Sequence, residues 1–278
     1  MKRLTGLLLG SSLLLGCLGL AAAQEAPPPP PKVLTIIREF VKPGRTGSMH
    51  EKTESAFVTA FAGAKWPQHY LAVDSMSGPP RSLFLVGYDS FEAWEKDNLA
   101  TMKNSVLTSA LERASLADSD MLASVDSGTF MYREDYSLRA AAVDIPHMRY
   151  FEISVFYVKP GHQKDWDDLV KMYMTAYEKI SDTHWATFEK VYGNGGSEYL
   201  VFNPMKSLAE TDRGFAQSKQ FEAALGPEGM KKLSDLAAAS IESSQTNLFM
   251  FNPRESYPSD AWVKADPDFW KPKPAPRK

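Results

Sequence analysis

The sequence has a single cysteine, Cys17, in an N-terminal apolar stretch. Lys2 and Arg3 precede this stretch and three small residues, 21–23, follow it, which is the pattern of an export signal. A chain cut after Ala23 has no thiol, so disulfides and thiolate metal ligands are excluded. We therefore expect residues 1–23 to be a signal peptide and the protein to be periplasmic or secreted.

Two features of the N-terminus allow a different form of export. Residues 14–17, Leu-Leu-Gly-Cys, resemble a bacterial lipoprotein cleavage box, in which Cys17 would be lipidated. Five consecutive prolines, Pro27 to Pro31, then predict an extended spacer over residues 24–32. Contact with a membrane is expected only through the signal peptide or such a lipid anchor.

The chain also has no excess of basic residues. Lys and Arg number 31 against 34 Asp and Glu, for a formal net charge of −3, so we expect no binding to nucleic acid. The five histidines form no His-x-x-x-His pair, and no metal site is predicted from their spacing. There is no Gly-x-Ser-x-Gly elbow of an esterase. The glycine-rich run at 193–196 lacks the Lys-Ser/Thr of a phosphate loop and predicts a hairpin turn.

A repeated string is present instead. Val-Lys-Pro-Gly occurs at 41–44 and again at 158–161, a spacing of 117 residues, and each copy ends a strand-like run. Both regions predict the order strand, helix, strand, strand, helix, strand. We place repeat 1 at 33–134, a linker at 135–147, repeat 2 at 148–253 and a C-terminal extension, partly disordered, at 254–278. Three aromatic residues of the extension, Trp262, Phe269 and Trp270, suggest that it packs on the body first.

The order βαββαβ predicts an α+β fold of two ferredoxin-like repeats whose antiparallel sheets pack face to face as an intramolecular α/β barrel. In topology, duplication and the Val-Lys-Pro-Gly strand ends, the chain resembles the dimeric α/β-barrel superfamily, which includes antibiotic-biosynthesis monooxygenases, chlorite dismutase relatives and the NIPSNAP family. Glu152 and Phe156 match the Glu and Tyr positions of a NIPSNAP-like Glu-x-Arg-x-Tyr strand, whereas Ser154 replaces its Arg. The resemblance implies a cofactor-independent monooxygenase or a haem-dependent oxidoreductase.

The two-residue period of a strand sorts side chains into faces. Ile153, Val155 and Tyr157 are mostly apolar, so we place them under the helices. Glu152 and Ser154 then face the barrel interior, and the 117-residue spacing puts Glu39 of repeat 1 on the same side. This mixture predicts a ligand cavity between the two sheets.

Five side chains are candidates for ligand binding. An inward carboxylate at Glu39 or Glu152 loses hydration, which raises its pKa and suits an acid or base. The alternative is a strand-end carboxylate paired with a base such as Arg38 or Arg149. His69 and His184 could be an axial haem ligand or a proton carrier, or could be structural. Ser154 completes the set.

The leading function is binding of a small, partly apolar ligand in the barrel interior, with no cofactor. One alternative is the monooxygenase or haem oxidoreductase, and another is an envelope interaction module that uses the proline-rich ends. The sequence leaves open the ligand, whether the protein is catalytic, and its oligomeric state.

Overall fold

A computed structural model of the chain describes residues 28–180 and 182–271. The eight strands are β1 (Val33–Val41), β2 (Tyr70–Ser75), β3 (Arg81–Tyr88), β4 (Leu122–Tyr132), β5 (Tyr150–Val158), β6 (Ala186–Gly193), β7 (Ser197–Met205) and β8 (Ile241–Phe251). The helices are α1 (Ser48–Ala64), α2 (Phe91–Lys103), α3 (Ser105–Ser119), α4 (Gln163–Tyr177), α5 (Ala209–Ser240), α6 (Asp260–Ala265) and α7 (Pro267–Trp270). The predicted signal peptide, with Cys17, and residues 272–278 lie outside the described residues.

The strands close into one barrel in the order β1-β3-β2-β8-β5-β7-β6-β4. Strands β1 to β4 form one antiparallel sheet and β5 to β8 the other, and each has the strand order of a ferredoxin-like unit. The sheets join where β2 pairs with β8 and where β4 pairs with β6. The predicted α+β fold, a tandem repeat forming an intramolecular barrel, is confirmed.

Local chemistry explains most element ends. Gly44 and Gly161, which end the repeated string, adopt φ of 77° and 83°, where only glycine is unstrained. Ser90 accepts a hydrogen bond from the backbone N–H of Ala93 and so caps α2. Gly226, with φ of 67°, breaks α5 immediately before Pro227.

The interior of the barrel is filled with apolar side chains. Alternate residues of all eight strands meet there, and the largest buried ones include Ile36, Phe130, Phe249 and Phe251. An eight-stranded barrel is just wide enough for side chains to fill it, and packing them is the main source of buried apolar area. The middle of the barrel is therefore filled, and the space that stays open between the two sheets lies at one mouth, where Leu34, Leu85, Phe151, Phe188 and Phe202 line a cavity.

The predicted faces of the strands are inverted for the same reason. Phe151, Ile153 and Val155 point into the barrel, with Leu34 and Ile36 from repeat 1. The opposite faces of β1 and β5, which carry Glu39, Glu152 and Ser154, are turned toward the helices. The apolar side chains of β5 were correctly assigned to the larger core, but that core is the barrel interior and not the layer under the helices.

The segment after β8 packs on the body, as the aromatic residues predicted. Trp270 is only 2% exposed and joins the barrel core at one end, and its indole Nε1 donates to the carbonyl of Pro146 at 2.8 Å. Residues 134–147 connect the halves through three short 3-10 turns, from which Tyr136 and Leu138 are buried. None of the described helices is long and apolar enough to cross a membrane.

Candidate functional site

The five predicted ligand-binding residues lie in three separate places. Glu152, Ser154 and His184 line a cavity between the second sheet and helices α4 and α5. His69 lines a second cavity at one mouth of the barrel. Glu39 lies under α1, in a cluster of buried polar residues.

The cavity of the C-terminal half, called here the C-terminal cavity, has a volume of about 450 Å³. Its floor is the outer face of β5, β6 and β7, and its walls are α4, the first half of α5 and the loop before β6. Seven aromatic side chains line it: Tyr136, Phe156, Trp166, Tyr173, Tyr177, Trp185 and Phe215. The polar lining includes Glu152, Ser154, His184, Thr187, Asn203 and Arg213.

The aromatic side chains of this half pack against one another in fixed geometries. The ring of Trp166 lies 5.3 Å from that of Phe156 and 5.0 Å from that of Tyr199. Tyr173 and Tyr177 both stack on Phe221 of α5, at 5.2 and 4.8 Å. Aromatic rings at such distances are attractive beyond their buried area, so the walls are rigid and offer ring faces and edges to a ligand.

Two polar atoms of residues that line this cavity are buried without a hydrogen-bond partner. They are the indole Nε1 of Trp166, a residue 3% exposed, and the hydroxyl Oγ1 of Thr183. Both residues line the cavity. An unmade hydrogen bond of a buried donor costs about 1 to 3 kcal/mol, so such atoms require an explanation. A ligand oxygen that accepts these hydrogen bonds would supply one.

The three predicted residues in the cavity are held in different ways. The hydroxyls of Ser154 and Thr246 share a hydrogen bond of 2.8 Å across β5 and β8. Nε2 of His184 donates to the carbonyl of Pro204 at 2.8 Å. Burial, then the neighbouring phenol of Tyr173 and the negative charge of Glu152, raise the pKa of Tyr177. The carboxylate of Glu152 therefore acts on a phenol in the same wall.

The cavity at the barrel mouth has a volume of about 400 Å³ and is mainly apolar. Residues 28–31 of the proline-rich spacer form part of its rim, and Pro31 packs directly over Gly87 of β3. His69 stacks on Tyr257, with 4.7 Å between ring centroids, and its Nδ1 is buried without a hydrogen-bond partner.

A third group of residues lies between the first sheet and helices α1 and α3. It consists of Glu39, His50, Glu54 and Asp118, and is called here the N-terminal polar cluster. Glu255, from the segment after β8, lies beside it. The position of the second half that corresponds to Glu39 by the 117-residue spacing is Phe156, which packs against the apolar core of that half.

The electrostatics of the N-terminal polar cluster are strongly perturbed. Burial opposes the charged form of His50, but Glu255 and Glu39 outweigh it and raise the pKa of His50 to about 10. Burial, with the negative charges of Glu39 and Asp118, raises the pKa of Glu54 to about 10. Burial likewise raises the pKa of Glu255 to about 7. Several carboxylates thus share one buried imidazole.

Of this cluster, only Glu39 was predicted as a site residue. Pairs of histidines give no signal here, whereas His50 and Glu54 are four residues apart and therefore lie on one face of a predicted helix. Asp118 and Glu255 are distant in sequence, and no spacing connects them to His50. In the C-terminal cavity, Trp166 was not among the predicted site residues.

Haem requires an axial ligand with a free nitrogen and cations for its propionates. In the C-terminal cavity, Nε2 of His184 already donates to the carbonyl of Pro204. At the barrel mouth, His69 has an unpartnered Nδ1, but the described lining contains no Lys or Arg. The barrel mouth therefore does not fit haem, and an axial bond to Nε2 of His184 would require breaking its hydrogen bond.

Comparison with known proteins gives a fold but no family. No family model matches the chain, and no curated protein matches it. Among solved structures, an anthrone oxidase-like protein is similar, with a TM-score of 0.52 and 14% identity over 80% of this chain and 92% of the other. A protein from Fusobacterium nucleatum subsp. nucleatum, named as a candidate monooxygenase, has a TM-score of 0.51 and 12% identity over 81% and 93% of the two chains.

A chlorite dismutase mutant from Candidatus Nitrospira defluvii is more distant, with a TM-score of 0.46 and 9% identity over 81% of this chain and 93% of the other. At this TM-score the similarity supports no conclusion about this chain. The likeness to the first two structures, together with the closed barrel, shows that the chain has the fold of the dimeric α/β-barrel superfamily, with both halves in one polypeptide. A shared fold at these identities does not carry a function with it.

Proposed function

We propose that the protein binds a planar aromatic small molecule with oxygen acceptors, and that the C-terminal cavity is its site. The observation that carries the proposal is the buried, unpartnered indole N–H of Trp166 in an aromatic-lined cavity. Aromatic walls favour a flat ring system, and a donor without a partner favours a carbonyl or phenol oxygen on that ring system. The site differs from the barrel interior expected from the sequence.

Size and polarity support the same class of ligand. The volume of about 450 Å³ lies within the range of small-molecule sites, which is roughly 300 to 1,000 Å³. Ser154, Thr187 and Asn203 on the strand floor can bind polar substituents, whereas the walls are apolar. A compound of two or three fused rings with hydroxyl and keto groups matches this distribution.

Binding is tested with 1,8-dihydroxyanthraquinone by isothermal titration. The substitution Trp166→Phe keeps a ring and removes the N–H, so it should weaken binding about fivefold, the equivalent of one hydrogen bond of about 1 kcal/mol. Trp94→Phe is the matched control, because Trp94 lies on α2 of the other half. Saturable binding that Trp166→Phe weakens and Trp94→Phe does not would support the site. Equal effects of the two substitutions would rule it out, as would no binding of this probe or of its anthrone analogue.

A second candidate function is oxidation of such a ligand by molecular oxygen. It is favoured by Glu152, a carboxylate in the cavity wall that can remove a proton from a phenol or an activated CH₂ group. It is also supported by the fold shared with an anthrone oxidase-like protein and a candidate monooxygenase. The activated CH₂ becomes a carbonyl: one oxygen atom of O₂ enters the ligand, and the other leaves as water with the two hydrogens.

Oxygen consumption tests this second candidate. With an anthrone as substrate, the protein should consume one O₂ for each quinone formed, and Glu152→Gln should lower kcat by about 10²-fold or more because the base is lost. Glu222→Gln, an exposed acid on α5, is the control and should have no effect. If the anthrone binds and is not oxidised faster than in buffer, the protein is a binding protein and not an oxidase.

A further inference from the structure

We propose that the N-terminal polar cluster is a binding site for one divalent ion of a first-row transition metal. The ligands would be Nε2 of His50 and one carboxylate oxygen each from Glu39, Glu54 and Asp118. These four donor atoms all lie within 4.8 Å of one another. The site is separate from the C-terminal cavity and does not depend on the function proposed for it.

The distances within the cluster fit a central ion better than they fit hydrogen bonds. Nε2 of His50 is 3.2 Å from Glu39, 3.7 Å from Asp118 and 3.9 Å from Glu54. Only the first is a hydrogen-bond distance. A single N–H can also be directed at only one acceptor, so the other two carboxylates are not bound by it. An ion about 2.1 Å from each donor holds neighbouring donors roughly 3 to 3.5 Å apart, so small side-chain shifts would complete the coordination.

An independent observation also indicates a missing partner. Oε1 of Glu54 is buried without a hydrogen bond, and the residue as a whole is 3% exposed. This oxygen faces the imidazole of His50 from within the cluster. A buried carboxylate oxygen is rarely left without a donor, and a cation is the partner that several carboxylates can share.

The surroundings of the four ligands resemble the outer shell of a metal site. Nδ1 of His50, on the far side of the ring from Nε2, faces the carboxylate of Glu255 at 3.6 Å and the hydroxyl of Ser82 at 3.5 Å. A metal-binding histidine commonly directs its second nitrogen at a carboxylate, which fixes the ring and its tautomer. Asp118 accepts a hydrogen bond from the hydroxyl of Thr53, which orients that carboxylate.

The donor set selects the kind of ion. One imidazole with three carboxylates suits Mn²⁺, Fe²⁺ or Zn²⁺, whereas Ca²⁺ requires six to eight oxygens at longer distances. Thiolate ligands are lacking, which removes the preference for soft ions. All four ligands come from the chain and are largely buried, so the ion would be structural, tying α1 and α3 to the end of β1.

Mn²⁺ is the probe for this site because its free aqua ion has a six-line electron paramagnetic resonance signal that weakens on binding. The full mature protein is treated with a chelator, dialysed and titrated with MnCl₂ at pH 7.5. We expect one equivalent to bind, and the melting temperature to rise with Mn²⁺ concentration because the ion binds only the folded state. ZnCl₂ should compete for the same equivalent.

The test variant is Glu54→Gln, which keeps the shape of the side chain and replaces the carboxyl group that would bind the ion. It should stay folded, as judged by circular dichroism, and lose at least tenfold in Mn²⁺ affinity together with the rise in melting temperature. Glu222→Gln, the same substitution at an exposed position of α5, is the matched control and should bind Mn²⁺ as the wild type does.

The proposal is overturned if the metal-depleted wild type takes up neither Mn²⁺ nor Zn²⁺ at 1 mM, or if folded Glu54→Gln binds a full equivalent with unchanged affinity. Neither result affects the aromatic-ligand proposal, because that ligand is measured by titration in the presence of chelator. Failure of anthraquinone binding likewise leaves the metal titration unchanged.

Discussion

A second buried charged group lies inside the barrel, at the end away from Trp270. The carboxylate of Glu198, 2% exposed, bonds to Arg38 at 3.1 Å and to Lys190 at 3.0 Å. Asp126 also pairs with Arg38. Here each buried charge has a partner, in contrast to the N-terminal polar cluster, where carboxylates outnumber cations.

The substitution Glu198→Ala should therefore be strongly destabilising. It leaves Lys190, 5% exposed, as a buried cation without its carboxylate, and losing one partner of a buried pair costs about 3 to 5 kcal/mol. Urea unfolding followed by fluorescence measures the change. The control is Glu92→Ala, which breaks an exposed pair with Lys96 and should change stability by less than about 0.5 kcal/mol. Similar losses for both variants would contradict this account.

At this scale the sequence identified several correct residues but misplaced them. Glu152 and Ser154 were correctly separated from Ile153 and Val155, because strand alternation is a local property. The direction of each face was not local, since it depends on which of two apolar layers is larger. Glu39 meets His50 only through the packing of α1 on the sheet.

Among the elements, the two short C-terminal helices bury aromatic side chains at one end of the barrel. Helix α7 has four residues, yet it places Trp270 against Phe251 and Trp262 at the end of the barrel. Trp262, Phe269 and Trp270 thus extend the core rather than lying on the surface. Their spacing in an otherwise polar tail was a sufficient signal in the sequence.

Trp270→Ala should cost about 3 to 5 kcal/mol, because it removes a fully buried indole and leaves a cavity in a closed barrel. Differential scanning calorimetry would show a lowered melting temperature with binding of the aromatic probe unchanged at 20 °C. Leu116→Ala, at a position 76% exposed on α3, provides the control. An unchanged melting temperature for Trp270→Ala would mean that α7 does not stabilise the barrel.

Strand order and hairpins were predictable because they follow from alternation and turn residues within each repeat. Helix starts were less so: Ser48 and Glu51 have the spacing of a capping box, but α1 follows Gly47 with no side-chain cap. Asn104, by contrast, accepts a hydrogen bond from the backbone N–H of Leu107 at the start of α3. A cap needs the correct backbone angles as well as the correct residue.

For the whole molecule, the duplicated sequence was enough to predict the closed barrel, since two sheets with open apolar faces cover each other. It was not enough to predict the cavities, which depend on how side chains distant in sequence pack together. Between sheet and helices, the first half holds the N-terminal polar cluster and the second half holds the C-terminal cavity.

Export remains a prediction about the whole molecule, because residues 1–27 lie outside the described residues. Expression of the full chain in a bacterium, with fractionation and intact mass measurement, should give protein outside the cytoplasm that begins at Gln24. A lipidated species beginning at Cys17 would show the alternative route. A full-length cytoplasmic product starting at Met1 would contradict both.

The segment that follows β8 comes after the second repeat in sequence but packs on the first repeat in space. Its backbone pairs with β2 through Tyr257 and Tyr70, and it brings Glu255 to His50. A chain emerges from a ribosome or a translocation pore with its N-terminus first. The first half therefore lacks these contacts until almost the last residues have emerged. The half made first is thus the half completed last, and synthesis stopped at the end of the second repeat would leave the first half without Glu255 and Tyr257.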